Sequence, residues 1–163
     1  MTTVHSSVMV ALFNAADPHH NSCLAWFREA IADGDPLRAP VTALGEVAAA
    51  ISDGTGDKQL ARDVATHLRH SALFEFLPVA MPLAERAVAI AADHRVTGSD
   101  AVYLAVADTL SDRLVTLDAE LLRKGNGWLK PRARRGGSGD QRKRSRSVSR
   151  WTNRIVASSS RSH

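Results

Sequence analysis

The sequence predicts an α/β fold with a central parallel sheet between two layers of helices. Two observations carry this. Four short segments rich in β-branched or aromatic residues, 2–5, 37–41, 74–77 and 113–117, are each separated from the next by helical stretches long enough for a crossover. The chain of 163 residues is long enough for one compact domain and too short for two comfortable ones.

The elements follow in order. Thr2-Thr3-Val4-His5 reads as a strand that passes through a serine cap, Ser6-Ser7, into the apolar run Val8-Met9-Val10-Ala11-Leu12-Phe13. Asp17 as cap and Pro18 as first helical residue lead into a second helix over 20–32, with Leu24, Phe27 and Ile31 on its apolar face. The turn Asp33-Gly34-Asp35-Pro36 closes it. After the extended piece 37–41, a helix runs from Ala43 to about residue 52 and stops at Asp53-Gly54-Thr55-Gly56. A further helix covers 57–70. Phe74-Glu75-Phe76-Leu77 is a strand, and Pro78 with Pro82 brackets the start of an Ala-rich helix to about His94. Thr97-Gly98-Ser99-Asp100 has capping-box spacing, with Asp in place of Glu or Gln, and opens a helix through Leu110. Arg113-Leu114-Val115-Thr116-Leu117 is the last strand, and Asp118 opens a short helix ending near Gly125.

Charge divides the chain sharply. Residues 1–127 carry 10 Lys+Arg and 16 Asp+Glu, a net −6, whereas residues 128–163 carry 11 and 1, a net +10. The basic segment lacks the apolar periodicity that would offset the entropy of ordering, so a disordered tail is expected there. Such a tail either binds a polyanion by releasing counterions from phosphates or is simply solvated. Cys23 is the only cysteine, which excludes an intramolecular disulfide and a multi-cysteine zinc site. The apolar stretch 8–16 has no Lys or Arg before it, and no run of ~20 apolar residues occurs, so a cytoplasmic protein is expected.

Three acidic residues stand in apolar surroundings: Glu46, Asp100 and Asp118. Each has an ordinary explanation. Glu46 falls opposite the stripe of Leu44, Val47 and Ile51 and so reads alone as water-facing, Asp100 complements a helix dipole, and Asp118 is an N-cap. Together they imply more. Carboxylates that converge beyond the carboxyl ends of parallel strands repel one another unless a cation joins them, and hard oxygen donors suit Mg²⁺ or Mn²⁺. An ion held in this way activates water and neutralises charge on a phosphate, so phosphodiester hydrolysis is the natural reaction class. His19, His20, His67 and His70 have no partner at ligand spacing and read as solvated surface. Phe13, Trp26, Phe27 and Tyr103 fall in helical apolar stripes and read as core.

The blocks Val4-His5-Ser6-Ser7-Val8, Leu44-Gly45-Glu46-Val47, Gly98-Ser99-Asp100-Ala101-Val102-Tyr103-Leu104-Ala105 and Leu114-Val115-Thr116-Leu117-Asp118 resemble the four signature blocks of PIN-domain proteins, specifically VapC toxins. The resemblance implies a PIN-like domain over 1–127 followed by the basic tail of 128–163. It implies an Mg²⁺-dependent endoribonuclease, with Mn²⁺ as the other candidate ion; single-stranded or looped RNA is the expected substrate, because phosphates in loops splay into an acidic site more easily than those of a regular duplex. It further implies a homodimer held inactive by a VapB-like antitoxin, with no membrane partner.

Carried over by residue, Glu46, Asp100 and Asp118 match the family's acidic metal positions, while Ser7 and Thr116 match small polar supporting positions. His5 departs, because the family places an Asp at the end of the first strand. Neutral imidazole brings no charge and is a poorer Mg²⁺ ligand. Three accounts follow: a dead or weak site, a different metal, or a general acid/base role for His5. Reduced activity carries most weight. Beside the nuclease stand two alternatives, a silent PIN fold that binds an antitoxin or RNA, and a nonspecific nucleic-acid binder dominated by its tail. The end departs too: Gly125-Asn126-Gly127-Trp128-Leu129 begins like the family's closing strand before the Arg/Ser tail takes over. A shifted reading frame or an acquired RNA-binding extension gives such a tail equally well.

Overall fold

In the computed structural model, residues 1–124 are described, and the expected tail over 128–163 lies outside them. Four strands, β1 (Thr2–Val4), β2 (Leu37–Pro40), β3 (Phe74–Leu77) and β4 (Arg113–Val115), form one sheet in the order β3-β2-β1-β4. Every pairing is parallel, as the crossover spacing predicts.

The helices are α1 (Ser6–Phe13), α2 (His20–Ala32), α3 (Ala43–Thr55), α4 (Lys58–Arg69), α5 (Met81–His94), α6 (Gly98–Thr109) and α7 (Ala119–Lys124). From β1 through β2 to β3 the chain steps steadily toward one edge, and right-handed crossovers place α1 to α4 on one face. From β3 it returns across the whole sheet to β4, so the same handedness puts α5 and α6 on the other face. The strand order therefore reverses between β1 and β4. That is a topological switch point, and the carboxyl ends of these two strands open the crevice where ligands collect in such sheets.

The core is apolar on both faces. Val4, Val8, Met9, Phe27, Leu37, Val47, Val64, Leu68, Tyr103 and Leu104 are all buried, and Phe27 stacks on Phe74 with ring centroids 5.9 Å apart. Tyr103 is therefore core, as its stripe suggests. At mid-sheet a polar clasp ties the strands together. Arg38 reaches Glu75 at 2.8 Å and the fully buried side chain of Asp112 at 3.1 Å, and Thr3 donates to the same Asp112 carboxylate at 3.2 Å.

Several boundaries differ from expectation. No serine caps α1; His5 does, its ring accepting the Ser7 amide, because β1 ends at Val4 and leaves His5 extended at the entry to the helix. The second helix spans His20–Ala32 as expected, but Asp17 and Pro18 are not its cap and first residue, since the Asp17 carboxylate accepts the His19 amide in a turn that ends before the helix begins. α3 continues to Thr55, where Gly56 in the left-handed region (φ 71°) closes it. β4 stops at Val115, because the Thr116 hydroxyl accepts the Asp118 amide and bends the backbone away from the ladder. His20 is half-buried rather than solvated, its Nδ1 lying 2.8 Å from the Ala11 carbonyl.

Candidate functional site

The carboxyl ends of β1 and β4 place two clusters side by side. The first is His5-Ser6-Ser7 at the turn from β1 into α1, and the second is Thr116-Leu117-Asp118 at the turn from β4 into α7. They are joined directly. Leu117 donates its amide to Ser7 Oγ at 3.1 Å, Thr116 Oγ1 lies 3.5 Å from the same atom, and Thr116 Oγ1 accepts the Asp118 amide at 3.0 Å. Ser7 and Thr116 thus tie the ends of β1 and β4 to each other. Asp118 Oδ1 accepts the Leu121 amide at 2.8 Å, so this residue caps α7 as well as facing the crevice.

Asp100 arrives from the opposite face of the sheet. Arg95 ends α5 in the left-handed region (φ 53°), turning the chain at once toward Thr97, which caps α6. Thr97 Oγ1 accepts the Asp100 amide at 3.2 Å and donates to Asp100 Oδ2 at 2.7 Å. The capping pattern read from the sequence therefore exists, and its consequence is to aim the remaining oxygen, Oδ1, at the His5 ring. Nε2 of His5 lies 3.4 Å from that oxygen, a polar contact longer than an ordinary hydrogen bond.

Glu46, in the first turn of α3, does not face open water. Its Oε2 accepts from Ser6 Oγ at 2.6 Å and from Tyr103 OH at 2.9 Å. The generic helix-wheel expectation is thus corrected at this residue: Glu46, half-buried in the first turn, is met by Ser6 of α1 and Tyr103 of α6, while Ala50 and Asp53 further along that face stay exposed. Tyr103 also packs its ring on His5, centroid to centroid 4.4 Å at 56°. Ser6 and Tyr103 are the site residues that sequence reasoning missed. A serine at a helix start and a tyrosine in an apolar stripe each have a sufficient local explanation, and nothing in the sequence alone links them to Glu46.

His5 stands within electrostatic reach of all three carboxylates. Asp100, Glu46 and Asp118 each favour its protonated form, Asp100 most strongly, but burial outweighs them and holds its pKa below the ordinary 6.5. With 7 % exposure, the imidazole is therefore neutral at neutral pH. Burial likewise pushes the Tyr103 phenol up, so it stays a hydrogen-bond donor to Glu46.

The chemistry of this set is right for a divalent ion, but its disposition is not. Three carboxylates supply hard oxygen donors. Yet among the described residues no three His, Cys, Asp or Glu side chains stand together at ligating distance. Asp100 Oδ2 is taken by Thr97, Glu46 Oε2 by two hydroxyls and Asp118 Oδ1 by an amide, while His5 faces the remaining Asp100 oxygen. As they stand, one oxygen of each carboxylate is held by a protein donor and the set does not close around a metal ion. No described helix is long and apolar enough to cross a membrane.

The PIN domain family model matches residues 3–127 of the chain. A crystal structure of VapC20 from Mycobacterium tuberculosis, a sarcin-ricin loop cleaving toxin, superposes with a TM-score of 0.67 at 22% sequence identity, over 82% of this chain and 100% of that one. The likeness is one of fold. Among curated proteins, none matches.

Proposed function

Because the chain belongs to the PIN-domain family, we propose that it is a VapC-like RNA-directed protein whose endoribonuclease activity is attenuated by His5. One observation supports this reading: at the sheet's switch point His5 lies 3.4 Å from Asp100 and within electrostatic reach of Glu46 and Asp118, an imidazole where the resemblance calls for an acid. Were Mg²⁺ or Mn²⁺ to enter that set, Asp100 and Asp118 would be its principal ligands, with Glu46 supporting them and Ser7 and Thr116 bracing the strand ends.

The residues present perform the parts that do not need an ion. Ser6 and Tyr103 fix one Glu46 oxygen, and Thr97 fixes one Asp100 oxygen, so the acidic wall is rigid before RNA arrives. That wall repels phosphate. The domain over 1–127 carries a net −6, so attraction for RNA must come largely from the +10 of residues 128–163. In this reading, tail and groove divide the work: the tail captures the backbone and the groove receives a single-stranded or looped segment. VapC20, a structural neighbour, is described as a sarcin-ricin loop cleaving toxin, and RNA of the looped kind is proposed here by analogy with it.

A VapB-like antitoxin and a homodimer belong to the same proposal, in a cytoplasmic setting. Support for an interface comes from α5, where Met81 and Val88, two turns apart on one helix face, are each 70 % exposed. The observation that His5 faces Asp100 also favours a second reading, a silent PIN fold that binds antitoxin or RNA without cutting.

Cleavage of a mixed RNA panel by the wild type, by His5→Asp and by His5→Asp/Asp100→Ala, each with Mg²⁺, Mn²⁺ or EDTA, separates these readings. Attenuation predicts wild-type cleavage that EDTA abolishes, with His5→Asp faster by a factor on the order of 10². Cleavage only after His5→Asp establishes the silent fold. No cleavage by any variant with either ion refutes the nuclease reading.

A further inference from the structure

The two nitrogens of the His5 ring have different tasks, and the backbone decides which nitrogen carries the proton. Nδ1 accepts the Ser7 amide at 3.3 Å, the bond that caps α1, and lies 2.9 Å from Ser7 Oγ. An atom that accepts an amide hydrogen cannot carry one of its own. The neutral ring therefore has its proton on Nε2, the atom 3.4 Å from Asp100 Oδ1. A metal ligand at this corner must offer a lone pair. His5 offers a hydrogen.

We propose that the capping bond from Ser7 locks His5 in the Nε2–H tautomer, and that this proton closes the Asp100 side of the carboxylate set to a divalent cation. The inference rests on the reading of this crevice as the family's nuclease site, and it states why that site is attenuated. Tautomer exchange does not reopen it. Moving the proton to Nδ1 would find an acceptor in Ser7 Oγ, 2.9 Å away, but would set that hydrogen beside the Ser7 N–H and leave this amide without its acceptor, at the first turn of a helix whose Ser6, Val8 and Met9 are buried. Nor does the ring have room to swing away, since it packs on Tyr103 at 4.4 Å and is 7 % exposed.

Two substitutions isolate the hydrogen from the shape. In His5→Asp, one carboxylate oxygen keeps the Ser7 cap and the other presents a lone pair to the crevice. In His5→Asn, the amide oxygen keeps the cap while the NH₂ again presents hydrogens. Both side chains cap well, so both variants retain the helix start.

Mn²⁺ binding to EDTA-stripped full-length protein, followed by the loss of the free-ion EPR signal, is the test. His5→Asp is expected to bind at least about tenfold more tightly than the wild type and than His5→Asn, and to lose that gain on adding Asp100→Ala. In parallel, the nitrogen shifts of the His5 ring in the ¹⁵N-labelled wild type should show a protonated Nε2 and a bare Nδ1. Wild-type binding as tight as that of His5→Asp, equal tightening by His5→Asn, or a protonated Nδ1 would each overturn the proposal. The two readings fail separately. A His5→Asp protein that binds Mn²⁺ but cuts no RNA leaves this inference standing and removes the nuclease reading; a wild type that binds Mn²⁺ through Asp100 and cuts RNA does the reverse.

Discussion

Removing the Glu46 carboxylate should unsettle the fold as well as the site, and the structure says by how much. Glu46→Ala takes the acceptor from Tyr103 OH, in a residue with 0 % exposure, and from Ser6 Oγ, in a residue with 8 %. A buried hydroxyl left unpaired costs about 1–3 kcal/mol. Relief of repulsion with Asp100 and Asp118 offsets part of this, so a net loss of about 2 kcal/mol is expected. Tyr103→Phe alone forfeits one hydrogen bond to a carboxylate, about 1.5–3 kcal/mol and toward the lower end because Ser6 still serves Glu46. In the double variant the orphaned phenol is gone, and about 1 kcal/mol of the summed loss should return. Urea unfolding measures all three. With a slope of about 2 kcal/mol per molar, Glu46→Ala lowers the midpoint by roughly 1 M. A double variant whose loss equals the sum of the singles, within about 0.3 kcal/mol, would refute the claim that Tyr103 and Glu46 act as one unit.

Two further outcomes are expected. Arg38→Met strands the fully buried Asp112 carboxylate, which keeps only Thr3, and should cost about 2–3 kcal/mol in urea unfolding; adding Asp112→Asn should restore part of it, and an Arg38→Met protein of wild-type stability would show that the clasp is ornamental. Cys23 is buried and, chiefly through that burial and then through Asp17, has its thiol pKa raised above the ordinary 9.0, so at pH 8 it is mainly protonated and, being buried, reacts with a thiol reagent only on unfolding; rapid labelling of the native protein would contradict the packing of α2.

A good deal of the molecule was readable in one dimension. The alternation of strand-like and helical segments carries the parallel sheet, because crossovers of that length leave no other pairing, and the bounds of β3 and of α2 agree with the periodic pattern. The identities of Glu46, Asp100 and Asp118 were legible as acidic residues in apolar surroundings, and the resemblance of four blocks placed them in one family. Local rules also misassigned details. Serine preference at helix starts pointed to Ser6 or Ser7 as the cap of α1, whereas the cap is a histidine, because the strand ends at Val4 and leaves His5 extended at the helix entry.

What only the folded chain could decide are the contacts between distant residues. Ser6 finds Glu46 across 40 positions, Tyr103 finds it across 57, and Leu117 meets Ser7 across 110. Periodicity and capping act over a few residues and carry no record of such meetings. The charge and tautomer of His5 belong to this second class. A sequence shows an imidazole beside a strand end; burial makes it neutral, the Ser7 amide chooses which nitrogen keeps the hydrogen, and the approach of α6 from the far face turns that hydrogen toward Asp100. Local pattern names the side chains, but protonation and direction follow from the surroundings that packing builds around them.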